Sequence, residues 1–253
     1  MTHMKKCHIC QNNFERLAKA HLIPDSFKKI SGEFGKTDNH LIRAGIYDAK
    51  APKVQTLDFD KEILCPDCDN RLSDYDEALK VFVETWAGSS SRALSVSGRA
   101  HVVRFSTDAD MLLAGLAVTL FRCSISSRCT SVDIGTKYEN EMASLLGERA
   151  KLPVPSSFSI KLGGVAPDPE QLELILIDPF RVKTENCYIH VLIAYGTIFI
   201  AKFGQQPWPT SFDALPSVAS GEQAVNIAVT SLDKSPISDF LKVTAATHRK
   251  KTV

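Results

Sequence analysis

Leu64-Cys65-Pro66-Asp67-Cys68-Asp69-Asn70 is the stretch that decides how the first third of the chain folds. Thiolates at Cys-x-x-Cys spacing can both reach one tetrahedral ion, and a second such pair stands upstream in Cys7-His8-Ile9-Cys10. Two pairs complete a shell of four sulfurs, so Cys7, Cys10, Cys65 and Cys68 are predicted to hold one structural zinc. A closed shell leaves no open position, and such a metal folds the chain without doing chemistry. The competing reading, two unrelated redox or buried pairs, lacks the strand–helix context of a thioredoxin-like motif. His8, inside the first pair, reads as a bystander.

Downstream of Cys68 the pattern turns helical. Leu72, Tyr75, Leu79, Phe82, Val83 and Trp86 recur mostly at spacings of three and four, which buries one face of a helix running from Asp67 to Trp86. Asp67 and Asp69 fall in its first turn, where the helix dipole favours negative charge. Asp74 and Asp76 read as solvated helix residues. Gly88 and the serines after it suggest a boundary, giving a zinc-stapled unit over 1–88 and an α+β unit over 89–253.

Between the knuckles, Ala20-His21-Leu22-Ile23-Pro24 reads as a short apolar strand stopped by proline, with a short helix expected over Asp25–Ile30. Residues 36–61 read as a long hairpin or loop reaching outward, with strand pieces at Leu41-Ile42 and Ile46-Tyr47.

After the boundary, strands are expected at 100–105, 158–162, 172–178, 187–194, 197–203 and 224–229. Tyr195-Gly196 is a plausible hairpin turn. Helices are expected at 108–124, apolar nearly all round and hence buried, at 138–151, and at 236–247. The first is too short, and too interrupted by Gly115, to cross a bilayer.

At 253 residues the chain can bury a sizeable core, and 44% hydrophobic and 23% charged residues suit a globular protein. A net charge of +1 excludes recognition of nucleic acid by global electrostatics, so any such binding rests on local patches. The distribution is uneven. Residues 1–61 carry eleven Lys or Arg against seven Asp or Glu, while residues 62–86 carry two against seven. A basic approach surface beside an acidic helix suits phosphate plus a divalent cation, and a salt-bridged surface reads equally well. No amino-terminal apolar run of the signal-peptide kind is present, so a cytoplasmic protein without a membrane partner is expected. Cys123, Cys129 and Cys187 read as free, mostly buried thiols.

In combination, Cys-x-x-Cys, then Ala20–Pro24, then Leu64–Asn70 leading into a helix, resembles the HNH endonucleases of the ββα-metal superfamily. The likeness is to bacterial members with a Ser-His-Ile-Ile-Pro type strand and a Leu-Cys-x-x-Cys-Asp helix, and it covers about the first third of the chain. It implies a ββα-metal finger followed by a mixed α+β domain with antiparallel strands, and a nuclease acting on DNA rather than RNA.

By the same resemblance His21 is the general base, Asp69 binds a catalytic divalent cation (magnesium or manganese), and Asp60 takes the place of the middle Asn that orients the base or steadies the loop. Ala20 stands where an acidic ligand is common and cannot bind metal, which leaves water, phosphate, Asp60 or Asp25 to complete the shell. Lys28, Lys29, Lys36, Arg43, Lys50, Lys53 and Arg71 are candidate phosphate contacts. Similar fingers occur in restriction, phage-defence and mobile-element proteins. Two other readings stay open: a zinc-stapled nucleic-acid-binding module without catalysis, and an interaction protein that docks a partner through residues 89–253.

Overall fold

The computed structural model describes residues 4–27, 41–44, 53–54, 59–92, 100–150, 152–166 and 176–231. Twelve strands and four α-helices lie among these residues. At the amino end, β1 (Lys5–Lys6) and β2 (Asn13–Phe14) form a hairpin, and β3 (Ala20–His21) pairs antiparallel with β6 (Phe59–Asp60). Next come α1 (Pro66–Asn70) and α2 (Ser73–Ala87). The remainder alternates strands with α3 (Ala109–Ile125) and α4 (Thr136–Gly147).

The centre of the molecule is an eight-stranded sheet. It takes β4 (Leu41–Ala44), β5 (Lys53–Val54), β7 (His101–Ser106), β8 (Phe158–Val165), β9 (Leu176–Lys183), β10 (Tyr188–Ala194), β11 (Thr197–Phe203) and β12 (Ala224–Thr230). Their order across the sheet is β5-β4-β9-β10-β11-β8-β12-β7. Pairing is antiparallel except for β4 with β9 and β12 with β8.

Strand burial follows position. β11 is buried at every residue because both its faces are covered, whereas edge strand β7 alternates half-buried and exposed residues. At the β10–β11 hairpin, Tyr195 and Gly196 both have positive φ (50° and 78°), the backbone of a primed two-residue turn that matches strand twist.

Helices α2 and α3 cover one face. Phe82 and Trp86 of α2 meet Phe105 of β7 edge-on, and Phe82 also meets Phe199 of β11. Trp86 sits so close over Gly164 that a Cβ there would come within 2.5 Å of the indole, and its Nε1–H donates to the Gly196 carbonyl at 3.4 Å. On the other face Phe180, Ile189, Val191, Ile198, Ile200 and Leu215 form a smaller cluster, against which Trp208 and Phe212 pack. No helix among the described residues is long and apolar enough to cross a membrane.

Several expectations need correction. The segment read as an outward excursion instead sends β4 and β5 to the edge of the large sheet, where Arg43 and Ala44 pair with Leu176 and Ile177. The helix expected over 67–86 is broken at Arg71-Leu72. There the Leu72 N–H turns back to the Asp69 carbonyl (3.0 Å) and the Ser73 hydroxyl donates to that of Asn70 (2.8 Å). Strand β9 is described over Leu176–Lys183, while residues 172–175 lie outside the described residues, and α4 covers 136–147.

One hydrophobic cluster joins Cys7, Leu22, Leu64 and Trp86 to Leu116, Phe121, Ile160 and Phe199. Ile46-Tyr47, the helix expected over Asp25–Ile30 beyond residue 27, and the final helix lie outside the described residues.

Candidate metal centre

The β1–β2 hairpin turns tightly through Cys7–Cys10, closed by the Gln11 N–H donating to the Cys7 carbonyl (3.0 Å). Two backbone bonds clamp this hairpin and the link after it to the second knuckle, from His8 N–H to the Ile63 carbonyl (2.9 Å) and from Ala18 N–H to that of Leu64 (2.8 Å). Cys65 caps α1, whose first residue is Pro66, where a missing N–H costs nothing. Cys68 follows inside the helix.

The four sulfurs that result all lie within 4.8 Å of one another, and Cys10 Sγ and Cys65 Sγ are 3.8 Å apart. Zinc–sulfur bonds of about 2.3 Å in a tetrahedron require sulfur–sulfur edges of about 3.8 Å. The four cysteines could therefore hold a structural metal ion such as zinc.

The surroundings treat the thiols unequally, and burial raises Cys65 as well as Cys68. Burial opposes ionisation of Cys7, but N–H groups of Cys65, Cys10 and Ile9 outweigh it and lower that thiol; the Cys65 N–H donates to its sulfur at 3.3 Å. Burial pushes Cys68 up to about 12 against the pull of Arg71, whose Nη2 donates to its sulfur at 2.9 Å. An ion replaces that proton outright. His8 is exposed and stays outside the sulfur group.

His21 lies on β3 opposite Phe59 of β6. Its side chain is 34% exposed, with Nδ1 3.8 Å from an Asp25 carboxylate oxygen and without a hydrogen-bond partner among the described residues. The Phe59 ring stands edge-on to the imidazole at 6.1 Å, and the exposed Lys19 and Lys61 ammonium groups lie 5.4 and 5.6 Å from that ring. These two cations beside His21 escaped the sequence reading, although each adjoins a strand of the pair.

Asp69 is half-buried just after the second knuckle. Burial raises its carboxyl and Asp76 adds to the rise, while Arg122 and His21 oppose it. The charge of His21 thus bears on Asp69, as the smallest of these influences. Asp60 is different. It is buried, and its carboxylate accepts the Glu62 N–H (2.8 Å) and the Ser126 hydroxyl (2.6 Å). A group so committed steadies the turn into the second knuckle rather than meeting a substrate. Ala20 is wholly buried and supplies no ligand.

Arg122 was missed. It comes from α3, is 1% exposed, and grips Asp76 of α2 with both Nη atoms at 2.8 and 2.5 Å. An arginine inside an otherwise apolar helix was the available signal, since a buried guanidinium requires an acidic partner. Asp76 is accordingly a pairing residue and not a solvated one. Arg71, expected on phosphate, instead spans Cys68 Sγ and the Leu146 carbonyl (3.3 Å). Lys28, Lys29, Lys36 and Lys50 lie outside the described residues, as do the side chains of Arg43 and Lys53.

The segment after His21 is fixed from the sheet, by the Tyr195 hydroxyl donating to the Phe27 carbonyl at 2.7 Å. No family model matches the chain, and neither a curated protein nor a solved structure matches it.

Proposed function

We propose that this protein is a metal-dependent nuclease of the HNH type, stapled by zinc at Cys7, Cys10, Cys65 and Cys68, that hydrolyses phosphodiester bonds of nucleic acid, DNA by preference. One observation carries the reading. The cysteine cluster clamps the β1–β2 hairpin to α1, the short antiparallel pair β3–β6 lies between them in sequence, and half-exposed His21 of β3 is near enough for its charge to bear on Asp69 of α1.

In this reading the His21 imidazole takes a proton from the attacking water. Asp69 supplies a hard oxygen ligand for a magnesium or manganese ion, which when bound offsets charge developing on phosphate oxygens. Lys19 and Lys61 hold the backbone of the nucleic acid beside His21, and salt screens their grip.

A second reading has its own support. Apart from the four cysteines, no group of three or more His, Cys, Asp or Glu among the described residues is gathered closely enough to hold an ion, and Ala20 contributes nothing. A nucleic-acid-binding module without catalysis fits that fact.

The two separate on one assay. Supercoiled plasmid and single-stranded RNA are incubated with zinc-loaded protein in magnesium or manganese. The nuclease reading expects cleavage that falls by about 100-fold or more in His21→Ala while zinc content and circular dichroism stay unchanged. Wild-type protein that binds these nucleic acids and cuts neither leaves the binding module standing instead.

A further inference from the structure

A cavity of about 460 Å³ opens on the helix side of the large sheet, and its lining includes neither the four clustered cysteines nor His21 and Asp69. Ligand pockets commonly hold about 300–1,000 Å³. Alternation along β10 sends Ile189, Val191 and Ile193 to the smaller cluster on the far face, so Tyr188 and His190 face the helices. On β9, Lys183 stands opposite Tyr188 and Arg181 opposite His190. Phe203 lies two residues beyond Ala201, the β11 neighbour of His190, and so shares that face. Asp133, Gly135 and Tyr138, where the chain enters α4, close the other side.

His190 is the buried polar group of this wall. It is 2% exposed, its Nε2 lies 3.1 Å from the Asp133 carbonyl, and its Nδ1 has no partner among the described residues. A carbonyl can only accept, so Nε2 carries the hydrogen, and in the neutral ring Nδ1 is left as a bare acceptor. A buried acceptor without a donor is costly, and a ligand whose N–H meets it is favoured over one that has none.

The rest of the lining adds two further demands. Tyr138 packs on Phe203 at 5.4 Å, and Phe203 stands edge-on to His190 at 5.9 Å, so the inner walls suit a flat ring. The rim suits an anion. Arg181 lies over the Tyr188 ring at 4.6 Å, Lys137 over the Tyr138 ring at 5.3 Å, and the side chain of Lys183 is exposed. Of the two carboxylates there, Asp133 is taken by Arg181 and by the Gly135 N–H (2.9 Å), which leaves Glu185. Gly135 also begins the twelve-residue α4 with no side-chain cap, and the N-terminal end of a helix attracts negative charge.

We propose that this cavity binds a nucleoside monophosphate, with an N–H of the base donating to His190 Nδ1 and the phosphate at the start of α4 beside Lys183. Thr184, Asn186 and Gln206 also line the cavity and suit the hydroxyls of the sugar. Inorganic phosphate lacks the ring and its donor, and a nucleoside lacks the charge. The site shares no residue with the cysteine cluster or with His21 and Asp69, so the inference stands whether or not the protein cuts nucleic acid.

The test titrates zinc-loaded, full-length protein, without added magnesium, by calorimetry. The probes are the four ribonucleoside 5′-monophosphates, their nucleosides and inorganic phosphate. At least one monophosphate is expected to bind tenfold or more tightly than both its nucleoside and phosphate. Lys183→Ala, a change at an exposed side chain, should weaken that monophosphate about tenfold and leave the nucleoside nearly unaltered. His190→Phe should weaken monophosphate and nucleoside alike by about tenfold, and His21→Ala should change neither. Should His190→Phe fail to fold, the comparison of Lys183→Ala with His21→Ala decides. A monophosphate held no more tightly than inorganic phosphate, held equally well by Lys183→Ala, or lost in His21→Ala overturns the proposal.

Discussion

A buried histidine far from the metal centre shows how one side chain sets a pH response. His190 is 2% exposed, its Nε2 lies 3.1 Å from the Asp133 carbonyl, and its Nδ1 has no partner among the described residues. Burial lowers it from 6.5 to about 4, with Arg181 adding to the fall and Asp133 opposing it. Because the folded value lies below the unfolded one, the unfolded chain takes the proton first. Stability is therefore full above pH 6.5 and is lost as pH falls toward 4, by about 3 kcal/mol in all. In urea titrations the difference between wild type and His190→Leu should shrink across that window and level off below it; a constant difference would assign no titration to His190.

At this same scale the sulfur cluster was legible because Cys-x-x-Cys spacing is local. Arg122 with Asp76, and Arg71 with Cys68, were not. Nothing in a linear pattern says which acid a buried guanidinium will meet, or that a cation will bind a thiolate instead of a phosphate.

Among the elements, the crossing of α2 over α3 is set by one missing side chain. A Cβ on Gly115 would come within 2.7 Å of the Tyr75 carbonyl oxygen and 3.0 Å of Leu79 Cβ. Alanine favours a helix by about 1 kcal/mol over glycine, yet the backbone carbonyl cannot step aside, and overpacking of this kind costs about 1–3 kcal/mol. Gly115→Ala should lower the melting temperature by about 4 °C, and an unchanged or raised value would mean the helices separate freely. The helical faces of α2 and α3 could be read from residue spacing, and so could the Tyr195-Gly196 turn. The break at Arg71-Leu72 could not, because the apolar spacing of Leu72, Tyr75 and Leu79 runs through it unaltered.

For the whole molecule, the decisive fact is that the larger of the two hydrophobic clusters runs from Cys7 to Val229. Removing the metal should then weaken more than the first third. Chelation, or Cys65→Ser, is expected to lower the melting temperature by more than about 10 °C, in one transition seen alike by circular dichroism and by tryptophan fluorescence. Trp86 lies between α2 and the sheet while Trp208 packs on the far face, so two separate transitions would instead indicate two independent units. Strand positions were largely visible in the sequence, but their neighbours were not, since pairing order depends on contacts between distant segments. The parallel match of β4 with β9 is the extreme case. During synthesis, residues 41–44 leave the ribosome long before residues 176–183 exist, so β4, paired on one side with β5, must keep its other edge open until most of the polypeptide has emerged, and that interval is when a chaperone would find it.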